Sequence, residues 1–279
     1  MKVSVIIPVF NEEKVIGNCL DSLKQQTYSD LEIIVIDDGS TDETANVVLG
    51  NEVKLLKQNH LGAGAARNLG AKHAKGEILV FVDADMEFDK KFIDKLTAPI
   101  REKKAIGTFS KEEYVLNNNN IWSKCWNINK GLLFDRMHPI NYPDEQNVFR
   151  AILKSEFDRA GGFKPIGYID DHTLAEKLGI KAQAAPDAVF YHRNPDSLKE
   201  IYMQARWIGK SEFKKRKIKN ETIMKLITII RHSLLLSLVH GVIGTMKFGL
   251  PQYILFKIVY DLGVEISLLN SFLGEQKYK

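Results

Sequence analysis

The sequence predicts an α/β protein with a mostly parallel mixed sheet covered by helices, followed by apolar helices at the C-terminal end. Three observations carry this expectation. Short β-branched runs alternate with segments of helical periodicity through the first hundred residues, the alternation breaks down beyond residue 104, and residues 200–279 change composition.

The first strand is read over Val3 to Phe10, where only Lys2 precedes the apolar run and Pro8 interrupts it. No small-residue cleavage site follows, so a buried strand is expected here and not a secretory signal. Val15, Ile16, Cys19, Leu20 and Leu23 recur at helical spacing before a second strand at Leu31 to Asp37, which completes a βαβ unit. Ser40 and Glu43 have the spacing of a capping box for the next helix, and Asn11 is a candidate cap for the first. Val53 to Lys57 reads as a third strand, Ala63 to Ala74 as a helix ending before Gly76, and Glu77 to Val82 as a fourth strand. Further on, Ile121 to Leu133 reads as a helix and Val148 to Leu153 as a strand. Asp170-Asp171 opens a helix that Gly179 closes, and Ala188 to Tyr191 is a last strand before His192.

In a parallel sheet of this kind the ligand crevice lies at the carboxyl ends of the strands. Polar residues collect there: Pro8, Asn11 and Glu12 after the first strand, Asp37-Asp38-Gly39-Ser40 after the second, and Asp83-Ala84-Asp85 after the fourth. Two carboxylates one residue apart can hold a hard cation such as Mg²⁺ or Mn²⁺, which in turn grips phosphate oxygens, although the same pair can simply turn the chain. His192 is a candidate third ligand or a packed histidine. Asp170-Asp171 can cap a helix, or supply a general base within reach of a substrate hydroxyl.

Gly62-Ala63-Gly64-Ala65-Ala66-Arg67 imitates a dinucleotide fingerprint, with Asp83 nineteen residues beyond Gly64, and leaves a nicotinamide-dependent oxidoreductase open. Arg67 stands where the third glycine belongs, and its planar fork of donors equally suits a diphosphate. For the glycines themselves, tight packing of a helix on the sheet is the favoured reading.

Composition removes other classes. With 44% apolar and 27% charged residues the 279-residue chain can form a real core, so wholesale disorder is excluded. Cys19 and Cys125 alone make neither a disulfide framework nor a zinc site, in keeping with a reducing compartment. The net charge of +4 divides unevenly: residues 200–279 hold 13 Lys/Arg against 6 Asp/Glu, so the rest of the chain is slightly acidic.

In this order the motifs resemble the inverting family 2 glycosyltransferases, which have the GT-A fold, a single Rossmann-like domain. The resemblance rests on Val5-Ile6-Ile7-Pro8-Val9-Phe10-Asn11-Glu12, on Asp37-Asp38-Gly39-Ser40-Thr41-Asp42, and on Gly64 to Gly70 with Arg67-Asn68. It continues through Asp83-Ala84-Asp85, Gly161-Gly162-Phe163 and Asp170-Asp171. It covers residues 1 to about 210 and implies a catalytic domain over 1–205, with a basic linker and C-terminal helices over 206–279. It further implies that Pro8, Val9, Phe10 and Glu12 hold the nucleoside, that Asp38 contacts the base, and that Arg67, Asp83 and Ala84 lie along the ribose and diphosphate. Asp85, with Asp83 and His192, would hold Mn²⁺ or Mg²⁺. Asp171 matches the catalytic base, beside Asp170. The implied reaction moves a sugar from a UDP- or GDP-sugar to an acceptor hydroxyl with inversion, in polysaccharide, glycolipid or glycoprotein glycan synthesis. A sugar-nucleotide-binding protein without activity is the remaining alternative.

Three departures are visible. The usual Glu-Asp pair is Asp-Asp here, an Arg often found six residues beyond the base falls at Lys177, and the QxxRW of processive synthases is shortened to Gln204-Ala205-Arg206-Trp207.

Lys210 to Lys219 contains six Lys/Arg immediately before the apolar C-terminal segments, as suits an anionic leaflet. Ile254, Leu255, Ile258, Val259, Leu262, Ile266 and Leu269 form one helical stripe, as in a helix lying in the membrane interface. The expectation is a cytoplasmic enzyme, peripheral on the cell membrane, with a nucleoside diphosphate sugar as donor, a lipid-linked or glycan acceptor and no nucleic-acid partner. The competing use of the helices is packing on the catalytic domain or a homodimer.

Overall fold

The computed structural model describes residues 1–51, 53–166, 170–212 and 221–272, and divides into two compact units. The first comprises Met1–Tyr114 and His138–His192; the second comprises Val115–Met137 and Arg193–Lys279.

The first unit opens with β1 (Val3–Val9), α1 (Ile16–Lys24), β2 (Leu31–Asp37), α2 (Thr44–Leu49), β3 (Lys54–Lys57), α3 (Ala63–His73) and β4 (Ile78–Phe81). These match the expected alternation. Then come β5 (Met86–Phe88), α4 (Phe92–Arg101), β6 (Gly107–Phe109) and β7 (Glu113–Val115), whose last residue belongs to the second unit together with α5 (Ile121–Lys130). The chain continues through β8 (Glu145–Gln146), β9 (Ala151–Leu153), α6 (Lys154–Arg159), a 3-10 turn at Asp170–His172, α7 (Thr173–Leu178), β10 (Ala182–Ala184) and β11 (Phe190–His192). The helices α8 (Leu198–Glu212), α9 (Glu221–Arg231), α10 (Leu234–Phe248) and α11 (Gln252–Phe272) complete the second unit.

Among the described residues, eight strands form one sheet in the order β3-β2-β1-β4-β9-β6-β10-β8, and β5-β11-β7 form a second. β1 pairs in parallel with β2 and β4, whereas β9 runs antiparallel between β4 and β6. The sheet is therefore mixed, with a parallel half that carries the expected crevice.

Side-chain alternation explains why helices cover both faces. Val3, Val5, Ile7 and Val9 of β1 join Ile16, Cys19, Leu20 and Leu23 of α1 in one cluster, while Ile6 joins Ile34, Ile36 and Ala66 in the other. Gly70 lets α3 approach on that second side, since a Cβ there would lie 2.5 Å from Ile6 Cγ2 and 2.6 Å from Ile36 Cδ1. The packing role expected of the glycine-rich helix holds at this position.

Two expected caps are not caps. α2 begins at Thr44, whose amide donates to Asp42 Oδ1 at 3.0 Å, so no Ser40–Glu43 box forms. Ser40 Oγ instead accepts from the Asn11 amide at 3.0 Å, and Asn11 Oδ1 accepts from the Thr41 amide at 2.8 Å. Asn11, at φ 57°, uses its tolerance of the left-handed region to turn its side chain toward the neighbouring loop and not toward α1. The loops after β1 and β2 are thereby sewn together at the strand ends.

In the second unit α11 is the central helix: Phe256, Val264 and Leu268 are buried in it, and Gly263 and Gly209 let α8 pack closely. A fully buried Asp261 accepts from His232 Nδ1 at 2.6 Å, Lys257 Nζ at 2.9 Å and Ser237 Oγ at 2.7 Å, while Lys257 also reaches Asn129 Oδ1 at 3.2 Å. Of the stripe expected on α11, Leu255, Leu262 and Leu269 are exposed and the rest are half-buried. The basic run Lys214 to Lys219 and Gly167 lie outside the described residues.

Candidate active site

The acids and amides at the carboxyl ends of β1, β2 and β4 are brought together with Asp170 and His192, and each has a distinct environment. Asp38 is almost wholly buried, and its carboxylate is saturated: Oδ1 accepts from Gln58 Nε2 at 2.6 Å and the Leu61 amide at 2.8 Å, and Oδ2 accepts from the Gly62 amide at 2.8 Å. His60 Nδ1 lies 3.0 Å from Oδ2. Asp38 therefore shapes the segment after β3 as well as closing β2. His60 in turn stacks on Phe10, with ring centroids 4.1 Å apart, which gives the crevice an aromatic wall that the sequence did not reveal. Pro8 and Val9 lie in β1 opposite Ile36 and Asp37, Ala84 is buried, and the Glu12 amide donates to Thr44 Oγ1 at 2.8 Å.

Arg67 projects from α3 and bridges two acids, with Nη2 2.7 Å from Asp83 Oδ1 and Nη1 3.2 Å from Asp170 Oδ1. Arg150, just before β9, takes the other oxygen of Asp83 at 3.2 Å. Burial alone would raise the Asp83 carboxyl, but Arg67, Arg150 and His192 outweigh it and hold Asp83 well below the ordinary carboxylate range. Arg150 was not anticipated. Its available signal was a lone charge inside the apolar run Val148 to Leu153.

His192 sits between two acids. Nδ1 is 2.6 Å from Glu113 Oε1 and Nε2 is 3.2 Å from Asp85 Oδ2; Glu113 Oε2 meets His138 Nε2 at 2.8 Å. Burial would lower the imidazole, but Asp85 and Glu113 outweigh it and carry it to about 10. Glu113 and His138 were also missed, because a three-residue strand and an isolated histidine leave no periodic signal.

The pair Asp170-Asp171 divides its labour. Burial pushes Asp170 up to about 6, against the pull of Arg67, which is shared with Asp83, and with Asp171 alongside. Its carboxylate accepts from the Gly64 amide, and Gly64 is required for that approach, since a Cβ would lie 2.5 Å from Asp170 Oδ2. Asp171 is different: its Oδ1 is shielded from solvent and has no hydrogen-bond partner among the described residues, with His172 Nε2 3.9 Å away.

This arrangement removes the dinucleotide reading of Gly62 to Arg67. The Leu61, Gly62 and Gly64 amides, which a pyrophosphate would need, are already held by Asp38 and Asp170. Among the described residues no three His, Cys, Asp or Glu side chains converge as a metal-holding group. Asp85 and His192 nevertheless face each other and become one oxygen and one nitrogen donor when a cation displaces the Nε2 proton, and Mg²⁺ or Mn²⁺ usually keeps waters and phosphate oxygens beside a few protein ligands. Asp83 is occupied by its two arginines.

Residues 4–161 match the family model described as glycosyl transferase family 2. The chain belongs to this family. Among curated members, it is 37% identical over 109 residues to glycosyltransferase GlyG of Streptococcus pneumoniae serotype 4, spanning 37% of this chain and 36% of that one. It is 39% identical over 110 residues to the poly(ribitol-phosphate) beta-N-acetylglucosaminyltransferase TarS of Staphylococcus aureus, covering 37% of this chain and 19% of TarS. The first relatives are thus matched over 16% to 36% of their own lengths. A crystal structure of S. aureus TarS 1-349 in complex with UDP-GlcNAc superposes with a TM-score of 0.56 at 17% identity, over 100% of this chain and 93% of that one. The mannosyltransferase PcManGT from Pyrobaculum calidifontis, in complex with GDP-Man and Mn²⁺, gives 0.60 at 20% identity, over 96% and 87%. The fold of this family 2 member is therefore the GT-A arrangement expected from its motifs.

Proposed function

We propose that this family 2 glycosyltransferase moves a sugar from a nucleoside diphosphate sugar to an acceptor hydroxyl by a single inverting displacement, with Asp171 as the general base. The observation that carries the assignment is Asp171 Oδ1, shielded yet without a hydrogen-bond partner among the described residues, beside an Asp170 already engaged by Arg67 and Gly64. A buried polar atom without a partner is costly unless a ligand satisfies it, and an acceptor hydroxyl donating to Asp171 would do so. Asp171 then takes that proton as the oxygen attacks the anomeric carbon from the face opposite the departing nucleoside diphosphate, which inverts configuration.

The aromatic wall of Phe10 and His60 suits the flat face of a nucleobase, and Arg67 and Arg150 gather positive charge for a diphosphate. Asp85 and His192 would hold Mn²⁺ or Mg²⁺, which when bound stabilises charge on the leaving diphosphate. The neighbouring structures, one in complex with UDP-GlcNAc and the other with GDP-Man and Mn²⁺, support a nucleotide sugar and a metal without choosing the base. A cell-envelope glycan or a lipid-linked sugar is the acceptor class this reading favours, in line with the polymer named for TarS.

The test is Asp171→Asn, assayed with a panel of UDP- and GDP-sugars and Mn²⁺. Transfer should fall by about 10²- to 10⁴-fold while affinity for the cognate nucleotide changes less than about twofold, because the base acts on the acceptor. Equal turnover by the two proteins would remove Asp171 from the mechanism.

A further inference from the structure

The helix pair α9–α10 buries polar groups and exposes most of its apolar ones, Met224 being the one large apolar side chain fully buried among its described residues. Lys225, Thr228, His232 and Ser237 face inward and are buried, where His232 and Ser237 meet Asp261. Ile223, Leu226, Ile230, Leu235, Val242 and Met246 face outward, with Ile230 65%, Leu235 71% and Met246 82% exposed. A helix pair built for water does the opposite and turns its apolar stripe toward the core. The inner side is closed by small residues as well: a Cβ on Gly241 would lie 2.9 Å from Ile254 Cα, and one on Gly244 would lie 2.3 Å from the Tyr253 ring. Close backbone approach through glycine, with polar groups satisfied internally, is how helices associate when their outer surface is not in water.

We propose that α9–α10 docks into one leaflet of an anionic lipid bilayer. Charge selects this occupant: residues 222–248 contain no Asp or Glu, and the exposed Arg231 and Lys247 are both positive. Length selects the depth. α10, with 15 residues, is about 22 Å long and α9 is shorter, both less than the roughly 30 Å of a hydrocarbon core. No single helix among the described residues is long and apolar enough to cross; the pair Thr222–Arg231 and Leu234–Phe248 has the length and composition for it only when taken together, and it is bent by 50° at its break, which favours a shallow course over a straight span. A bent pair with an apolar outer face and basic edges lies in the interface. The exposed line Leu255, Leu262 and Leu269 on α11 adds to the apolar surface of this unit. The stripe foreseen on α11 is thus a minor part, and α9–α10 is the main one. The inference does not depend on the identity of the base or the donor.

The test is flotation of the full chain with vesicles of phosphatidylcholine, with and without phosphatidylglycerol. The protein should float with the anionic vesicles, and Leu235→Glu/Met246→Glu should lower the bound fraction by at least about tenfold with helix content by circular dichroism unchanged. Failure of the wild-type chain to float, or equal flotation of the double variant, would overturn the proposal. So would a soluble dimer that the double variant splits, since the face would then be covered by a second copy. Should the double variant misfold, a nitroxide on Met246→Cys decides the matter: its oxygen accessibility relative to a water-soluble nickel complex must rise when anionic vesicles are added, and an unchanged ratio rejects lipid contact.

Discussion

His192 Nδ1 lies 2.6 Å from Glu113 Oε1, and because an ionised carboxylate can only accept, that nitrogen carries the proton. Glu113 is held ionised, with burial opposed by His138 and His192. The ring is thereby oriented so that Nε2 faces Asp85. A carboxylate behind a metal-binding histidine fixes ring and tautomer together, and its loss typically costs 10- to 100-fold in metal affinity. Glu113→Gln is expected to weaken Mn²⁺ binding by about that factor, read directly from the free Mn²⁺ signal in electron paramagnetic resonance, while metal-free nucleotide affinity stays near that of the parent.

Asp170 has the opposite character, a carboxyl raised to about 6 by burial. The folded protein then binds a proton more tightly than the unfolded chain, so stability is greatest below about pH 4 for this group and falls as pH rises toward 6. Above that the ionised group costs about 3 kcal/mol relative to a neutral one. Asp170→Asn should therefore gain stability at pH 7 relative to the parent and show no such gain near pH 4, in urea unfolding at the two pH values. Equal differences at both would mean that Asp170 ionises without penalty.

Asp38→Asn replaces an acceptor with an amide facing the amides of Leu61 and Gly62. Asn keeps a single acceptor oxygen, so either the Gly62 amide, or the Leu61 amide together with Gln58 Nε2, is left facing an NH2 group, at about 1–3 kcal/mol for each part-buried donor. The expected result is a lower urea midpoint together with weaker nucleotide binding, since the segment carrying His60 would shift away from Phe10.

Gly70→Ala should destabilise by about 1–3 kcal/mol through overpacking, because the new methyl meets Ile6 and Ile36 in the middle of the sheet. Gly64→Ala meets a carboxylate instead, Asp170 Oδ2. It should lower transfer more than it lowers the melting temperature, and comparison of the two variants by calorimetry and turnover separates packing from site geometry.

Much of the parallel half was legible because β1, β2 and β4 are compact apolar runs ending in polar turns, and the same turns bear the site acids. The strands that follow were not: β5, β6, β7, β8 and β10, divided between the two sheets, have two or three residues each, too few for any period to show. Glu113 lies in β7, Arg150 just before β9 and His138 outside any helix or strand, and all three were missed accordingly. Ser40 and Asn11 misled for a related reason. Their side chains satisfy whichever backbone amide is near, and residues 29 or 30 positions away in sequence proved nearer than the helix starts.

Arg67 is one guanidinium serving two acids, Asp83 and Asp170, on separate parts of the chain. A cation so divided cannot turn toward an incoming diphosphate without loosening its hold on one of them, and Asp170 has the longer contact. Donor entry would then be felt at the neighbour of Asp171 before any acceptor arrives. The enzyme should accordingly show an order to its substrates, donor first and nucleoside diphosphate last to leave, with product inhibition by the nucleoside diphosphate competitive only against the donor.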